Sequence, residues 1–244
     1  MSRVGLVIID LQHDFAFPGI PASEDGSGGV PAGALYVPGG EATVALINDL
    51  RVRLRAAGAP AVFLTQDWHP PSHISFFSNN AGAKPFELRD VDGPDGPTPQ
   101  VMWPVHCVQE SAGSEFVAEL DRAESDVIVR KGKNVRVDSY SGFGCAAQGR
   151  HEKTALEAAL RARDIDSLVV VGLATDYCVA YTARDAVRLG FRVLVYTPAC
   201  RGIAAESIAA EEAKMVEVGV VLARSLGEVD AFVAAGRGAA TVAE

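Results

Sequence analysis

Apolar and polar positions fall in long blocks along this chain. Val4 to Ile9 is a continuous apolar run that stops at Asp10. A run this short, bounded by polar residues, reads as a strand buried on both faces. Asp10 to Pro38 is rich in glycine and proline and reads as a long irregular segment. Gly40 to Ala57 carries Val44, Ile47, Leu50 and Leu54 at helical spacing, which predicts an amphipathic helix. Ala61 to Thr65 reads as a second strand and Gln66 to Ser114 as a second irregular stretch. Phe116 to Arg122 reads as a short helix and Asp126 to Arg130 as a third strand.

From His151 onward the pattern is regular. His151 to Ala162, Thr175 to Leu189 and Ala204 to Val216 read as helices. Leu168 to Val171, Phe191 to Tyr196 and Val218 to Leu222 read as strands. The tail from Gly227 reads as a short helix that frays. Strands separated by helices imply a parallel sheet covered on both faces. The expected class is α/β: a doubly wound, mostly parallel sheet of about six strands with helices on both faces. No repeat or linker interrupts residues 1–244, which read as one domain.

Composition narrows the partners. A chain of 244 residues with 48% hydrophobic content can bury a substantial core. Its formal net charge of -9 argues against nucleic acid or an anionic membrane as partner. Of the basic cluster Arg130, Lys131, Lys133 and Arg136, all but Lys131 read as solvated loop residues. No apolar stretch is long enough to span a bilayer, and Val4 to Ile9 reads as a core strand rather than a signal peptide. Cys107, Cys145, Cys178 and Cys200 form no Cys-x-x-Cys pair, which suggests a reducing compartment. The expectation is a cytoplasmic protein acting on a small molecule, with homo-oligomer formation left open.

The most informative stretch is Gly172-Leu173-Ala174-Thr175-Asp176-Tyr177-Cys178-Val179. It places Cys178 in the first turn of a helix that begins where a parallel strand ends. A thiol there meets unpaired backbone N–H groups and the positive end of the helix dipole, and both favour the thiolate. Each polar segment that follows a strand adds a further group at the same sheet edge. Asp10 follows the first strand and is partly desolvated, which raises its pKa and suits proton transfer. Lys131 follows the third, where a cation lowers a neighbouring thiol's pKa. Taken singly, each of these reads as an ordinary loop residue; their joint occurrence points to a site.

Asp67-Trp68-His69 follows the second strand, and alternate residues of an extended segment face one side. Asp67 and His69 with His106 make a ligand set suited to zinc, iron(II) or manganese. His73 reads as an ordinary donor outside that set. Phe15, Trp68, Trp103 and Tyr140 are the aromatic candidates for the wall of a flat pocket, against core packing as the ordinary alternative. Cys107, Cys145 and Cys200 read as inert thiols.

Five blocks together resemble a known family. They are Ile8-Ile9-Asp10-Leu11-Gln12-His13-Asp14-Phe15, Thr65-Gln66-Asp67-Trp68-His69-Pro70, Trp103-Pro104-Val105-His106-Cys107, Arg130-Lys131-Gly132 and the Cys178 stretch. The chain resembles the metal-containing nicotinamidases of the isochorismatase-like cysteine hydrolases. That resemblance implies a catalytic triad of Asp10, Lys131 and Cys178, and one divalent metal, zinc first, on Asp67, His69 and His106. It also implies a non-proline cis peptide between Leu173 and Ala174, with the Ala174 and Cys178 N–H groups facing a substrate oxygen. The implied reaction is hydrolysis of nicotinamide to nicotinate and ammonia. Two other readings stay open at this point: another amide or carbamoyl hydrolase of the superfamily, and a non-catalytic binder of a small metabolite.

Overall fold

The computed structural model describes residues 3–23, 28–59, 61–144 and 153–238. The chain runs β1 (Arg3–Ile9), a one-turn α1 (His13–Ala16), α2 (Ala42–Ala56) and β2 (Ala61–Asp67). A hairpin of β3 (Leu88–Gly93) and β4 (Gly96–Val101) follows, then β5 (Val127–Lys131) and α3 (Leu156–Arg161). The rest alternates: β6 (Ile165–Leu173), α4 (Ala180–Arg188), β7 (Arg192–Arg201), α5 (Ala205–Glu217), β8 (Val221–Ala223) and α6 (Leu226–Gly238).

Six strands form one sheet in the order β5-β2-β1-β6-β7-β8, and every pair is parallel. This is the expected doubly wound sheet. The chain moves outward from β1 through β2 to β5, then outward the other way from β6 to β8. Right-handed crossovers therefore put α2 and α4 on opposite faces. Leu6, Val7, Ile8 and Ile9 are all fully buried, as a strand covered on both faces requires. Val44, Ile47, Leu50 and Leu54 form the buried stripe of α2. No helix among the described residues is long and apolar enough to cross a membrane.

The reversal of direction lies between β1 and β6, where open α/β sheets hold their ligands. One glycine makes that crevice. Gly172 has φ of 117°, and a Cβ there would sit 2.2 Å from the Ile9 carbonyl oxygen. Only glycine lets the ends of β1 and β6 approach this closely.

Four expectations are corrected. The stretch from Gln66 to Ser114 is not wholly irregular, because β3 and β4 pair antiparallel from Leu88↔Val101 to Gly93↔Gly96. Phe116 to Arg122 is no helix: Phe116 bridges Gln12, and the segment then turns. Its buried Phe116, Val117 and Leu120 mimic helical spacing while packing onto the core as a loop. Asp10 to Pro38 also holds the short α1. The expected helix from His151 begins at Leu156 among the described residues, and Cys145 lies outside them.

Candidate active site

Four neighbouring strand ends build the site. Lys131 closes β5, Asp67 closes β2, Asp10 follows β1, and Cys178 follows β6. Asp10 takes a left-handed conformation (φ 47°), which turns the chain away from the sheet directly after the strand. Cys178 sits in a π-type turn, Thr175–Val179, that runs into α4. Such wide turns are frequent at functional sites. The Leu173–Ala174 peptide is cis. Asp176 of the same turn accepts from the Ile203 and Ala204 N–H groups and from Ser207 Oγ, so the turn is pinned to the start of α5.

Lys131 is the hub. Its ammonium is fully buried, 2.9 Å from Asp10 Oδ2, 2.5 Å from Asp67 Oδ1 and 3.4 Å from Cys178 Sγ. Burial opposes its charge, but the two carboxylates hold its pKa well above the ordinary lysine value. A buried charge needs this pairing to be tolerated at all. Asp10 is likewise fully buried, and burial raises its pKa although Lys131 pulls the other way. Thr65 Oγ1 donates to Asp10 Oδ1 at 2.6 Å, which leaves Oδ2 facing the ammonium. Asp67 also suffers burial, yet Lys131 and His69 keep it ionised, well below the usual carboxylate range.

Cys178 corrects one expectation. Burial raises its pKa well above the ordinary thiol value, and Lys131 offsets only part of this. Asp10 and Asp67 add to the rise. The resting group is a thiol whose proton must be taken. Asp10, Asp67 and Cys178 place their acceptor atoms within 4.8 Å of one another, so the Asp10 carboxylate is near enough to take it.

The second cluster adjoins the first through Asp67. One ligand atom each of Asp67, His69 and His106 lie within 4.8 Å of one another, and all three residues are buried. His69 Nδ1 donates to the Gly132 carbonyl at 2.8 Å, and His106 Nδ1 to the Pro104 carbonyl at 2.7 Å. Each imidazole therefore presents Nε2, 3.6 Å and 4.0 Å from Asp67 Oδ2. Two donors bound to one zinc ion stand about 3.3 Å apart, so a small contraction would close this set on a divalent metal. Backbone carbonyls behind ligating imidazoles fix tautomer and ring direction. Gly132 matters here too, since a Cβ at that position would lie 2.4 Å from the His69 ring.

His73 packs against His69 with ring centroids 4.2 Å apart, but both its nitrogens are engaged. Nδ1 accepts from Ser75 Oγ at 2.7 Å and Nε2 donates to the Val137 carbonyl at 3.3 Å. Burial lowers its pKa to about 4, so it stays neutral.

A cavity of about 430 Å³, counted to its open mouth, joins the two clusters. Cys178, Asp67, His69 and His106 line it together with Phe15, Trp103 and Tyr140. Trp68 does not, which corrects the fourth aromatic expectation. Asp67 and His69 face the cavity, so the residue between them faces away. Its ring lies instead under the Arg130 guanidinium, 3.8 Å from the ring centroid. Tyr177 takes the vacated place in the wall, 5.1 Å from Trp103 and 5.4 Å from Tyr140 between ring centroids. A larger groove of about 840 Å³ beside the hairpin shares Asp138 and Tyr140 with this cavity, but among the described residues neither cysteine nor histidine lines it.

Comparison with known proteins agrees with this architecture. The isochorismatase domain model matches residues 4–225. The chain belongs to the isochorismatase family. Within that family it is 41% identical to a nicotinamidase of Escherichia coli over 203 residues, 83% of this chain and 85% of that protein. A solved nicotinamidase/pyrazinamidase of Acinetobacter baumannii superposes with a TM-score of 0.78 at 38% identity, covering 93% of this chain and 98% of that one. A pyrazinamidase of Pyrococcus horikoshii, solved in complex with zinc, superposes at 0.68 with 30% identity, covering 92% and 100%.

Proposed function

We propose that this member of the isochorismatase family, acting as a single domain, hydrolyses nicotinamide to nicotinate and ammonia through a thioester on Cys178. The observation that carries the reading is the Lys131 contact set. One buried ammonium touches a carboxylate, a thiol and a carboxylate of an adjoining ligand cluster, all beside one small aromatic cavity.

Asp10 takes the Cys178 proton on Oδ2, and the thiolate attacks the carboxamide carbon. The raised Asp10 pKa suits a group that must hold this proton and then release it. Lys131 keeps its charge throughout and offsets the two carboxylates and the transient thiolate. The N–H groups of Ala174 and Cys178 donate to the oxyanion; loss of one such donor typically costs about 3 kcal/mol of barrier. Asp10 returns the proton to the departing nitrogen, ammonia leaves, and the nicotinoyl thioester remains. Asp10 then takes a proton from water, the resulting hydroxide attacks the thioester carbon, the C–S bond breaks, Asp10 returns its proton to the departing thiolate, and nicotinic acid leaves and ionises to nicotinate.

Phe15, Trp103, Tyr140 and Tyr177 form the wall for a flat heteroaromatic ring. Asp67, His69 and His106 would hold a divalent ion, with zinc first and iron or manganese next. A bound ion supplies a Lewis-acid anchor for the ring nitrogen. The test is ammonia release from nicotinamide, pyrazinamide and a linear carbamoyl amide, with and without chelator. The reading predicts turnover of the two ring amides, lost on chelation and restored by zinc. Turnover of the linear amide alone, indifferent to chelator, would overturn it.

A further inference from the structure

We propose that Gln12 is a positioning residue for Asp67, fixing the one carboxylate that serves both the Lys131 hub and the metal cluster. The inference rests on the metal-dependent reading above.

Backbone pairing of β1 with β2 ends at Ile8↔Leu64. Beyond it Asp10 turns the chain away, so the last residues of β2 lose their backbone neighbour on that side. Gln12 supplies a substitute. Its fully buried side-chain amide accepts from Asp67 N–H at 2.8 Å and donates to the Asp67 carbonyl at 2.8 Å. The same NH₂ group donates to the Ser114 carbonyl at 2.9 Å. A planar amide here does what a strand would do: it satisfies both polar groups of one residue at once. On its other side, Asp67 pairs in register with Lys131 of β5. The Asp67 peptide is thereby clamped between two partners.

The direction of the Asp67 side chain follows from this clamp. Oδ1 meets Lys131 Nζ, while Oδ2 faces the Nε2 atoms of His69 and His106. Rotation of the peptide would swing the carboxylate out of both clusters together. The role demands an amide of this length. Asn is one methylene short, and Met fills the space without either hydrogen bond. Gln66 provides a matched comparison. It donates to the same Ser114 carbonyl at 2.9 Å, but its side chain touches neither polar group of the Asp67 backbone.

The experiment is cobalt(II) titration of the full-length metal-free protein, read by visible absorption, for wild type, Gln12→Met, Gln12→Asn and Gln66→Met. Second-shell changes typically cost about 10- to 100-fold in metal affinity. That loss is expected for both Gln12 variants with folded-state circular dichroism retained, while Gln66→Met binds like wild type. Gln12→Asn carries the test alone if Gln12→Met does not fold. Wild-type affinity in the Gln12 variants overturns the inference, as does an equal loss in Gln66→Met. Wild-type protein that takes up no cobalt overturns it as well, by removing the metal reading beneath it.

Discussion

The Thr65 hydroxyl binds Asp10 twice. It accepts the Asp10 backbone N–H at 3.2 Å and donates to Asp10 Oδ1 at 2.6 Å. The single hydroxyl fixes both the left-handed backbone and the carboxylate rotamer. Thr65→Val keeps the shape and removes the donor. Losing a hydrogen bond to a charged group costs about 1.5–3 kcal/mol. The expected result is a fall in kcat of about 10- to 100-fold with KM little changed, measured by steady-state ammonia release. An unchanged kcat would detach Thr65 from the chemistry.

Lys131 sets the largest stability effect in the site. Lys131→Met leaves the buried Asp10 and Asp67 carboxylates without the cation they share. Breaking a buried pair from one side costs about 3–5 kcal/mol. For a chain of this size the melting temperature should fall by roughly 10 °C, with activity abolished. A scanning calorimetry trace matching wild type would contradict the buried hub.

The two tryptophans should separate cleanly in kinetics. Trp103 lines the cavity and donates to Tyr140 Oη at 3.1 Å, whereas Trp68 lies under Arg130. Trp103→Ala should raise KM for nicotinamide by about tenfold, the loss of roughly 1.4 kcal/mol of ring contact. Trp68→Phe keeps an aromatic face for Arg130 and should leave KM near wild type. The opposite ranking would place Trp68 in the wall after all.

Much of the sheet is legible in the sequence, because continuous apolar runs such as Val4–Ile9 and Leu168–Val171 admit few readings other than a doubly buried strand. The order of the strand ends then brings Asp10, Asp67, Lys131 and Cys178 to one edge without any knowledge of contacts. The β3–β4 hairpin escapes this logic. Pro97 and Pro99 interrupt its second strand, and most of its residues are solvated, so no apolar alternation marks it. Its one signal is Gly93-Pro94-Asp95-Gly96, a turn sequence between two short polar strands. Thr65 and Gln12 are missed for another reason. Their types carry no distinctive chemistry, and their roles exist only through partners far along the chain. The raised Cys178 pKa is missed because its largest cause is burial, which sequence does not measure.

Thiol titration carries a sign that can be worked out. Cys200 is buried outside the cavity wall, in register with Gly172, and burial pushes its pKa up to about 12 from the ordinary 9.0. The folded chain keeps a proton that the unfolded chain releases. This contribution to stability is intact below about pH 9 and declines as pH rises from 9 toward 12. Urea denaturation of wild type and Cys200→Ala over this range should show a steeper alkaline loss in wild type. Parallel curves would contradict the burial.

Cys178→Ala provides the most direct test of the covalent route. The side chain lines the cavity, so its removal should leave metal binding and folding in place. With no sulfur to form the thioester, ammonia release from nicotinamide should fall by about a thousandfold or more. Release at the wild-type rate from a folded, metal-loaded Cys178→Ala protein would contradict the account at its centre.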